Sequence, residues 1–65
     1  MVIIMRNPKR IPDILKRIQL IWEKHPDLRL GQLIGNVIDA RYLYEIEDDK
    51  LIKLLDDTYE YIDNV

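Results

Sequence analysis

Residues 11–25 read IPDILKRIQLIWEKH, and the spacing of their apolar side chains predicts an amphipathic helix. A helix turns by about 100° per residue, so these side chains fall within an arc of about 120°, as expected for a helix that packs one face on a core. The arc contains Ile11, Ile14, Leu15, Ile18, Ile21, Trp22 and His25. Either Pro8 or Pro12 can be the first helical residue. Pro26 ends the helix at His25, because a proline disfavours helical backbone in the residue before it.

The next stretch predicts a second helix, which begins at residue 28 or 30 and ends near residue 41. Its apolar face carries Leu30, Leu33, Ile34, Val37 and Ile38. Asp27 can cap this helix by accepting hydrogen bonds from the N–H groups of the first turn. If the helix begins at Arg29 instead, Gln32 can reach back to the Arg29 N–H, as in a capping box.

Two glycines, Gly31 and Gly35, lie four residues apart in this second helix. Each costs a helix about 1 kcal/mol relative to alanine. They therefore indicate a place where another helix or a ligand comes close.

A third helix is predicted over residues 48–62. Its apolar side carries Leu51, Ile52, Leu54, Leu55, Thr58, Tyr59 and Ile62. Glu47 or Asp48 caps the first turn, where acidic side chains also suit the positive end of the helix dipole. Residues 42–46 alternate apolar and polar, which predicts a short irregular or extended crossing that places Leu43 or Tyr44 in the core.

These segments predict an all-α fold, a compact three-helix bundle, with residues 6–65 as a single helical domain. Residues 1–5 form either an N-terminal extension before a start at Met5, or a tail or short strand. A chain of 65 residues buries only about 60% of the surface that it exposes when unfolded. Since the chain has no cysteine, its core cannot be stabilised by disulfides. Stability must come from close helix packing or from a partner chain, including a second copy.

The residues that most kinds of catalysis require are missing. The chain has no serine, no cysteine and a single histidine, His25, which excludes serine and cysteine hydrolases. We interpret His25 as a packed or capping residue at the end of the first helix. The acids interpreted as helix-capping residues, rather than as a metal site, are Glu45, Glu47, Asp48 and Asp49. We therefore expect a non-enzymatic protein with no cofactor and no metal.

Charge is divided unevenly along the chain. Residues 1–30 carry seven Lys or Arg against three Asp or Glu, whereas residues 31–65 carry three against nine. The two halves should attract each other. On the basic face of the first helix, Leu20 is surrounded by cations, which suggests an interface. The candidate interaction face consists of Lys16, Arg17, Leu20, Lys24, Arg29, Gln32, Gly35 and Asn36.

From these features we expect a protein-interaction module, whose partner is either another protein or a second copy of the chain. The alternative is a weak nucleic-acid-binding protein that uses the basic face of the first helix. A pI near 5.2 disfavours this alternative. The only continuous apolar run, residues 1–5, is too short for a signal peptide or a membrane span, so we expect a cytoplasmic protein with no membrane association.

A longer signature runs through the middle of the chain: W-x3-PDLRLGQLI-x-N, followed by Y-x-I-EDD-x-L. It covers Trp22, residues 26–34, Asn36 and residues 44–51. With this signature the chain resembles small uncharacterised proteins of bacteria and their phages and, more distantly, is similar to the YihD family. The resemblance spans about residues 5–55 and implies a helical fold and a bacterial, archaeal or phage source. It carries no catalytic assignment. The MVII stretch before Met5 departs from the pattern.

Overall fold

The computed structural model describes residues 6–64, and this part of the chain contains four helices and no strand. Helix α1 spans Arg10–Lys24, α2 spans Leu30–Gly35, α3 spans Ala40–Leu43 and α4 spans Asp48–Asp63. The predicted all-α class is confirmed. Two long and two short helices take the place of the three that were predicted, and the extension or tail predicted for residues 1–5 lies outside the described residues.

Helix α1 begins between its two candidate start positions. The side chain of Asn7 accepts a hydrogen bond from the Lys9 N–H at 2.9 Å, and the Arg10 N–H donates to the Asn7 carbonyl at 3.2 Å. Pro12 therefore falls in the first turn, where the missing N–H costs the helix little. At the other end the His25 N–H donates to Trp22 at 2.8 Å, and Pro26 follows. The prediction of the first helix is confirmed.

The start of helix α2 follows one of the two predicted alternatives, the capping box. The side chain of Gln32 accepts a hydrogen bond from the Arg29 N–H at 2.8 Å. Arg29 has extended backbone, with φ −71° and ψ 153°, as expected of the residue that precedes a helix. The capping-box alternative is thus confirmed, and Asp27 is not the capping residue.

The predicted end of this helix near residue 41 is wrong, because α2 stops at Gly35. The Tyr59 hydroxyl donates to the carbonyl oxygen of Leu33 at 2.7 Å. In a longer helix that carbonyl would accept from the Val37 N–H, four residues on. The Val37 N–H donates instead to the carbonyl of Ile34, at 3.1 Å. A buried tyrosine on α4 thus binds the Leu33 carbonyl at the point where the regular helical hydrogen bonds of α2 are interrupted.

Asp39 starts a new helix, α3, where the sequence predicted the end of the second one. Its carboxylate accepts a hydrogen bond from the Arg41 N–H at 2.8 Å and pairs with the guanidinium of Arg41 at 3.1 Å. The guanidinium, followed by the N–H, holds the pKa of Asp39 below its ordinary value. The short irregular or extended crossing predicted for residues 42–46 is accordingly wrong at its start, because Tyr42 and Leu43 are helical.

The segment after α3 also differs from its prediction in what it buries. Tyr44 is 97% exposed and Leu43 is exposed as well, so neither enters the core. The turn continues past them, because the Ile46 N–H donates to the Tyr42 carbonyl at 3.1 Å. Ile46 is the partly buried apolar residue of this segment.

The core connects α2 to α4 and is small. Within the described range its buried residues are Leu33, Leu55 and Tyr59. Seven partly buried residues pack against them: Ile18, Ile21, Trp22, Leu28, Val37, Leu51 and Ile52. Helix α4 confirms the predicted third helix to within one residue, and its packing along α1 is the main contact between long elements.

The predicted apolar stripe of the first helix is only partly covered. Leu15 is 59% exposed, and Ile11 is exposed too, although both were expected in the core. Helix length explains the difference. The 15 residues of α1 span about 22 Å, whereas the six of α2 span about 9 Å, so α2 cannot cover its neighbour from end to end.

Candidate functional site

The boundary between α1 and α4 is lined by ion pairs. The N-terminal basic residues meet the acids of α4, so the attraction predicted between the two halves is realised within one chain. The pairs join Arg6 to Glu47 at 3.0 Å, Arg10 to Asp48 at 2.9 Å, and Arg17 to Asp56. Most of these side chains are largely exposed, so each pair contributes at most about 1 kcal/mol. Together they join the N-terminal part of the chain to the α4 region at three points.

The acids at the start of α4 have a role that the sequence analysis missed. Glu47 is the residue that precedes the helix, but its carboxylate binds Arg6 and caps no backbone N–H. Asp48 binds Arg10 in the same way. The sequence feature that could have indicated this role is the opposite charge of the two helix starts, which is basic at α1 and acidic at α4. Across residues 6–64, no group of three or more His, Cys, Asp or Glu side chains is arranged to hold a metal.

His25 connects the C-terminal ends of the two long helices. Its Nε2 atom lies 3.0 Å from a carboxylate oxygen of Asp63, although the two are not aligned as a hydrogen bond. Its ring centre is 4.9 Å from that of Tyr59. The side chain is mostly buried between these partners, which confirms that His25 is a packed residue.

A groove of about 610 Å³ follows the α1–α4 boundary. Three of the eight predicted interaction residues, Arg17, Leu20 and Lys24, line its α1 side. Acids of α4 line the opposite side: Asp56, Asp57, Glu60 and Asp63. Since Arg17 already binds Asp56, the basic face of α1 is partly neutralised by the chain's own acids.

The other predicted interaction residues do not join this group. Gln32 and Asn36 have structural roles: Gln32 caps α2, and Asn36 donates to the hydroxyl of Tyr59 at 3.4 Å. Arg29 and Lys16 are exposed. Five of the eight predicted residues thus lie outside the lining of the α1–α4 groove.

The glycines of α2 are not places of close approach within the chain. A Cβ atom built at Gly31 or at Gly35 would have no atom within 4 Å. No other helix among residues 6–64 packs there, so the close approach of a second helix or a ligand stays a prediction, and the space beside both glycines is open.

A second groove, the apolar groove, lies between α1 and α2 and has a volume of about 480 Å³. Six of its eight lining residues are apolar: Leu15, Ile18, Trp22, Pro26, Leu30 and Ile34. The other two are Gln19 and Glu23. Leu15 is 59% exposed and Leu30 is 43% exposed, so apolar surface on both helices faces outward.

Trp22 gives the apolar groove a fixed floor. Its indole N–H donates to the carbonyl of Leu28 at 2.7 Å, which holds the ring against the connection between α1 and α2. Trp22 and Ile18 pack against the core as well as lining the groove. The apolar spacing of α1 predicts both residues in a buried stripe, and the groove does not follow from that spacing. No local pattern signals the groove, because it opens only where α2 ends at Gly35.

Comparisons with known proteins add no relative. No family model, no curated protein and no solved structure matches the chain. The resemblance to the YihD family thus stays a prediction. None of the helices in the described range combines the length and the apolar composition that crossing a lipid bilayer requires.

Proposed function

We propose that this domain is a non-enzymatic interaction module that binds a protein partner in the apolar groove. The observation that carries the proposal is the outward-facing apolar surface at Leu15 and Leu30, next to the fixed ring of Trp22. Burying such surface on a partner is favourable by roughly 25 cal/mol per Å². A grouping of exposed apolar residues on a small domain is typical of protein interfaces.

The composition of the groove favours a protein over a small polar ligand. Sites for small molecules usually have several polar groups that converge on one point. Here the polar residues are Gln19 and Glu23, which are both exposed and lie on neighbouring turns of α1. An apolar centre with a polar rim is the usual composition of a protein interface. Among the groove residues Glu23 is the one side chain that can titrate, so the groove offers little to acid–base catalysis.

Nucleic-acid binding, the alternative, has less support. Arg6, Arg10 and Arg17 each bind a carboxylate of the α4 region. A phosphate group would have to displace those carboxylates, on a chain whose net charge is already −2. Titration of short duplex and single-stranded DNA at low salt tests this alternative. We expect no binding, whereas binding that is lost when Lys16 and Lys24 are replaced by glutamine would favour it.

Site-specific photocrosslinking tests the proposed function in cells that express the chain. A photoreactive amino acid replaces Leu30 in the apolar groove or, as a matched control, Leu20 in the α1–α4 groove. The two leucines are 43% and 48% exposed, so they are equally accessible to a partner. We expect covalent protein adducts from position 30 and few from position 20. Adducts from neither position, or from position 20 alone, would contradict the proposal.

A further inference from the structure

We propose that the apolar groove is occupied by a second copy of this chain, with the two α1 helices packed antiparallel about a twofold axis. This inference rests on the proposed function, because it names the partner that binds in the groove. It depends on three observations: the spacing of apolar residues along α1, two charges beside them, and the position of Leu15.

The apolar residues on the open side of α1 have the spacing of a helix that pairs with another helix. Ile11, Leu15, Ile18 and Trp22 follow one another at intervals of four, three and four residues. This alternation keeps apolar side chains along one seam, as in a coiled coil. Ile11 is 44% exposed and Leu15 is 59% exposed, so residues 6–64 of the same chain cover the N-terminal half of the seam only in part.

Two charged residues lie along the outer side of the apolar groove: Glu23 lines it, and Lys16 precedes Glu23 on the same side of α1. Lys16 and Glu23 are seven residues apart, which places them two turns apart on one side of α1. Both are exposed, and none of the ion pairs found among residues 6–64 involves either of them. The neighbouring Arg17, in contrast, is bound to Asp56.

The positions of Lys16 and Glu23 select an antiparallel arrangement. When two identical helices pack antiparallel, the same edge of each faces the other. With the twofold axis between Gln19 and Leu20, Lys16 lies opposite Glu23 of the second copy, and the symmetry repeats the pair. A parallel arrangement would place this edge against the opposite edge of the second helix. That edge carries Ile14 and Ile21, which are partly buried.

The same axis accounts for Leu15. Antiparallel packing brings Leu15 of each copy to the end of the groove that Trp22 and Pro26 line in the other copy. Each chain then covers the exposed leucine of its partner. A twofold contact of this kind pairs one surface with itself and closes at two copies, so it cannot extend into a filament.

A charge-reversal cycle, measured by sedimentation equilibrium on the purified full chain, tests the inference. The variants are Lys16→Glu, Glu23→Lys and the double variant. We expect the unaltered chain to dimerise as its concentration rises. Each single variant places like charges at both symmetric contacts and should weaken the dimer about tenfold, whereas the double variant should restore it.

Two control variants carry the same changes of charge elsewhere. Lys50→Glu and Glu45→Lys alter exposed residues of α4 and of the segment before it. They should leave the dimer unchanged. Circular dichroism verifies that every variant keeps its helix content, so a lost dimer cannot be confused with a lost fold.

The orientation of the helices can be tested separately, because the chain has no cysteine of its own. Lys16→Cys and Glu23→Cys chains are mixed and oxidised. Antiparallel packing predicts disulfides between the two different variants. Parallel packing predicts no such disulfides, because it places this edge of one helix against the opposite edge of the other.

Three results would overturn the inference: a chain that stays monomeric at every concentration, a dimer indifferent to both reversals, or a dimer in which the two cysteine variants form no disulfide with each other. None of these results decides the proposed function. A monomeric chain whose position 30 still crosslinks to a different protein would refute the second copy and leave the groove as a binding surface. Absence of crosslinks from position 30 would refute both.

Discussion

The two sides of α1 are covered to very different extents. On one side α1 lies along α4, a helix of nearly equal length, and arginine–carboxylate pairs line the boundary. On the other side α2 has six residues and leaves the apolar groove open. Apolar residues occur on both sides, so sequence composition does not distinguish them. The difference shows that an apolar stripe is buried only as far as a neighbouring element reaches along it.

The largest expected effect lies in the core, at Leu55. This residue is fully buried in contact with α1 and α2 residues of the core. Replacing it with alanine should cost about 2–5 kcal/mol. A small domain has only about 3–5 kcal/mol of stability in total, so Leu55→Ala should unfold most of the protein. Urea denaturation followed by circular dichroism measures the effect.

The matched substitution on the open side, Leu15→Ala, should behave differently. Because Leu15 is 59% exposed, its loss should change the free energy of unfolding by no more than about 0.5 kcal/mol in dilute solution. A cost comparable with that of Leu55→Ala would show that Leu15 is buried in the isolated chain. The contrast between the two sides of α1 would then be wrong.

The next largest effect concerns the hydrogen bond from the Tyr59 hydroxyl to the Leu33 carbonyl, near the end of α2. Tyr59→Phe removes the hydroxyl that donates to the Leu33 carbonyl and leaves that buried oxygen without its partner. We expect a loss of about 1–2 kcal/mol in the free energy of unfolding. Tyr61→Phe is the control, because Tyr61 is 73% exposed and should change stability little. Equal effects of the two substitutions would mean that the Tyr59 hydroxyl does not stabilise the α2–α4 contact.

A substitution beside the groove should increase stability. Gly31 lies within α2, and a Cβ atom there would meet open space. Gly31→Ala should therefore raise the free energy of unfolding by about 0.5 kcal/mol, because alanine loses less backbone freedom on entering a helix. Thermal unfolding at low protein concentration provides the measurement. A destabilised variant would indicate that another part of the chain approaches α2 at this point.

The smallest effect should come from the ion pairs on the covered side. A double-mutant cycle with Arg17→Gln and Asp56→Asn measures the coupling between the two side chains. Since both are partly exposed, the coupling should be below about 1 kcal/mol and should fall as salt is added. A coupling of several kcal/mol that is insensitive to salt would mean that this boundary, and not the apolar core, holds α1 to α4.

The sequence predicts the two long helices well, for physical reasons. Each has an apolar stripe over three or more turns, and the ends of α1 are marked by Asn7 and Pro26, whose local preferences decide the backbone there. The capping of α2 by Gln32 was also predictable, because it involves residues three positions apart. Where the bounds of a helix depend on residues close to it in the sequence, the sequence pattern was sufficient to predict them.

The early end of α2 and the apolar groove were not predictable in this way. The bond from Tyr59 to Leu33 joins residues 26 positions apart, so no local pattern contains it. Asp39 has the character of a helix cap, but the helical period continues through Val37 and Ile38 and hides the break. Once α2 is shortened, Leu15 and Leu30 become exposed. The groove thus results from tertiary structure, whereas the periodic pattern alone predicts that its apolar residues are buried in the core.

The single tryptophan of the chain stands where the covered and open sides of α1 meet. Indole emission shifts in wavelength and intensity when water is removed from the ring. Anything that settles in the groove therefore changes the fluorescence of Trp22 without an added dye. The hydrogen bond from the indole N–H to the Leu28 carbonyl holds the ring in one position. The emission of Trp22 therefore reports whether the groove is occupied.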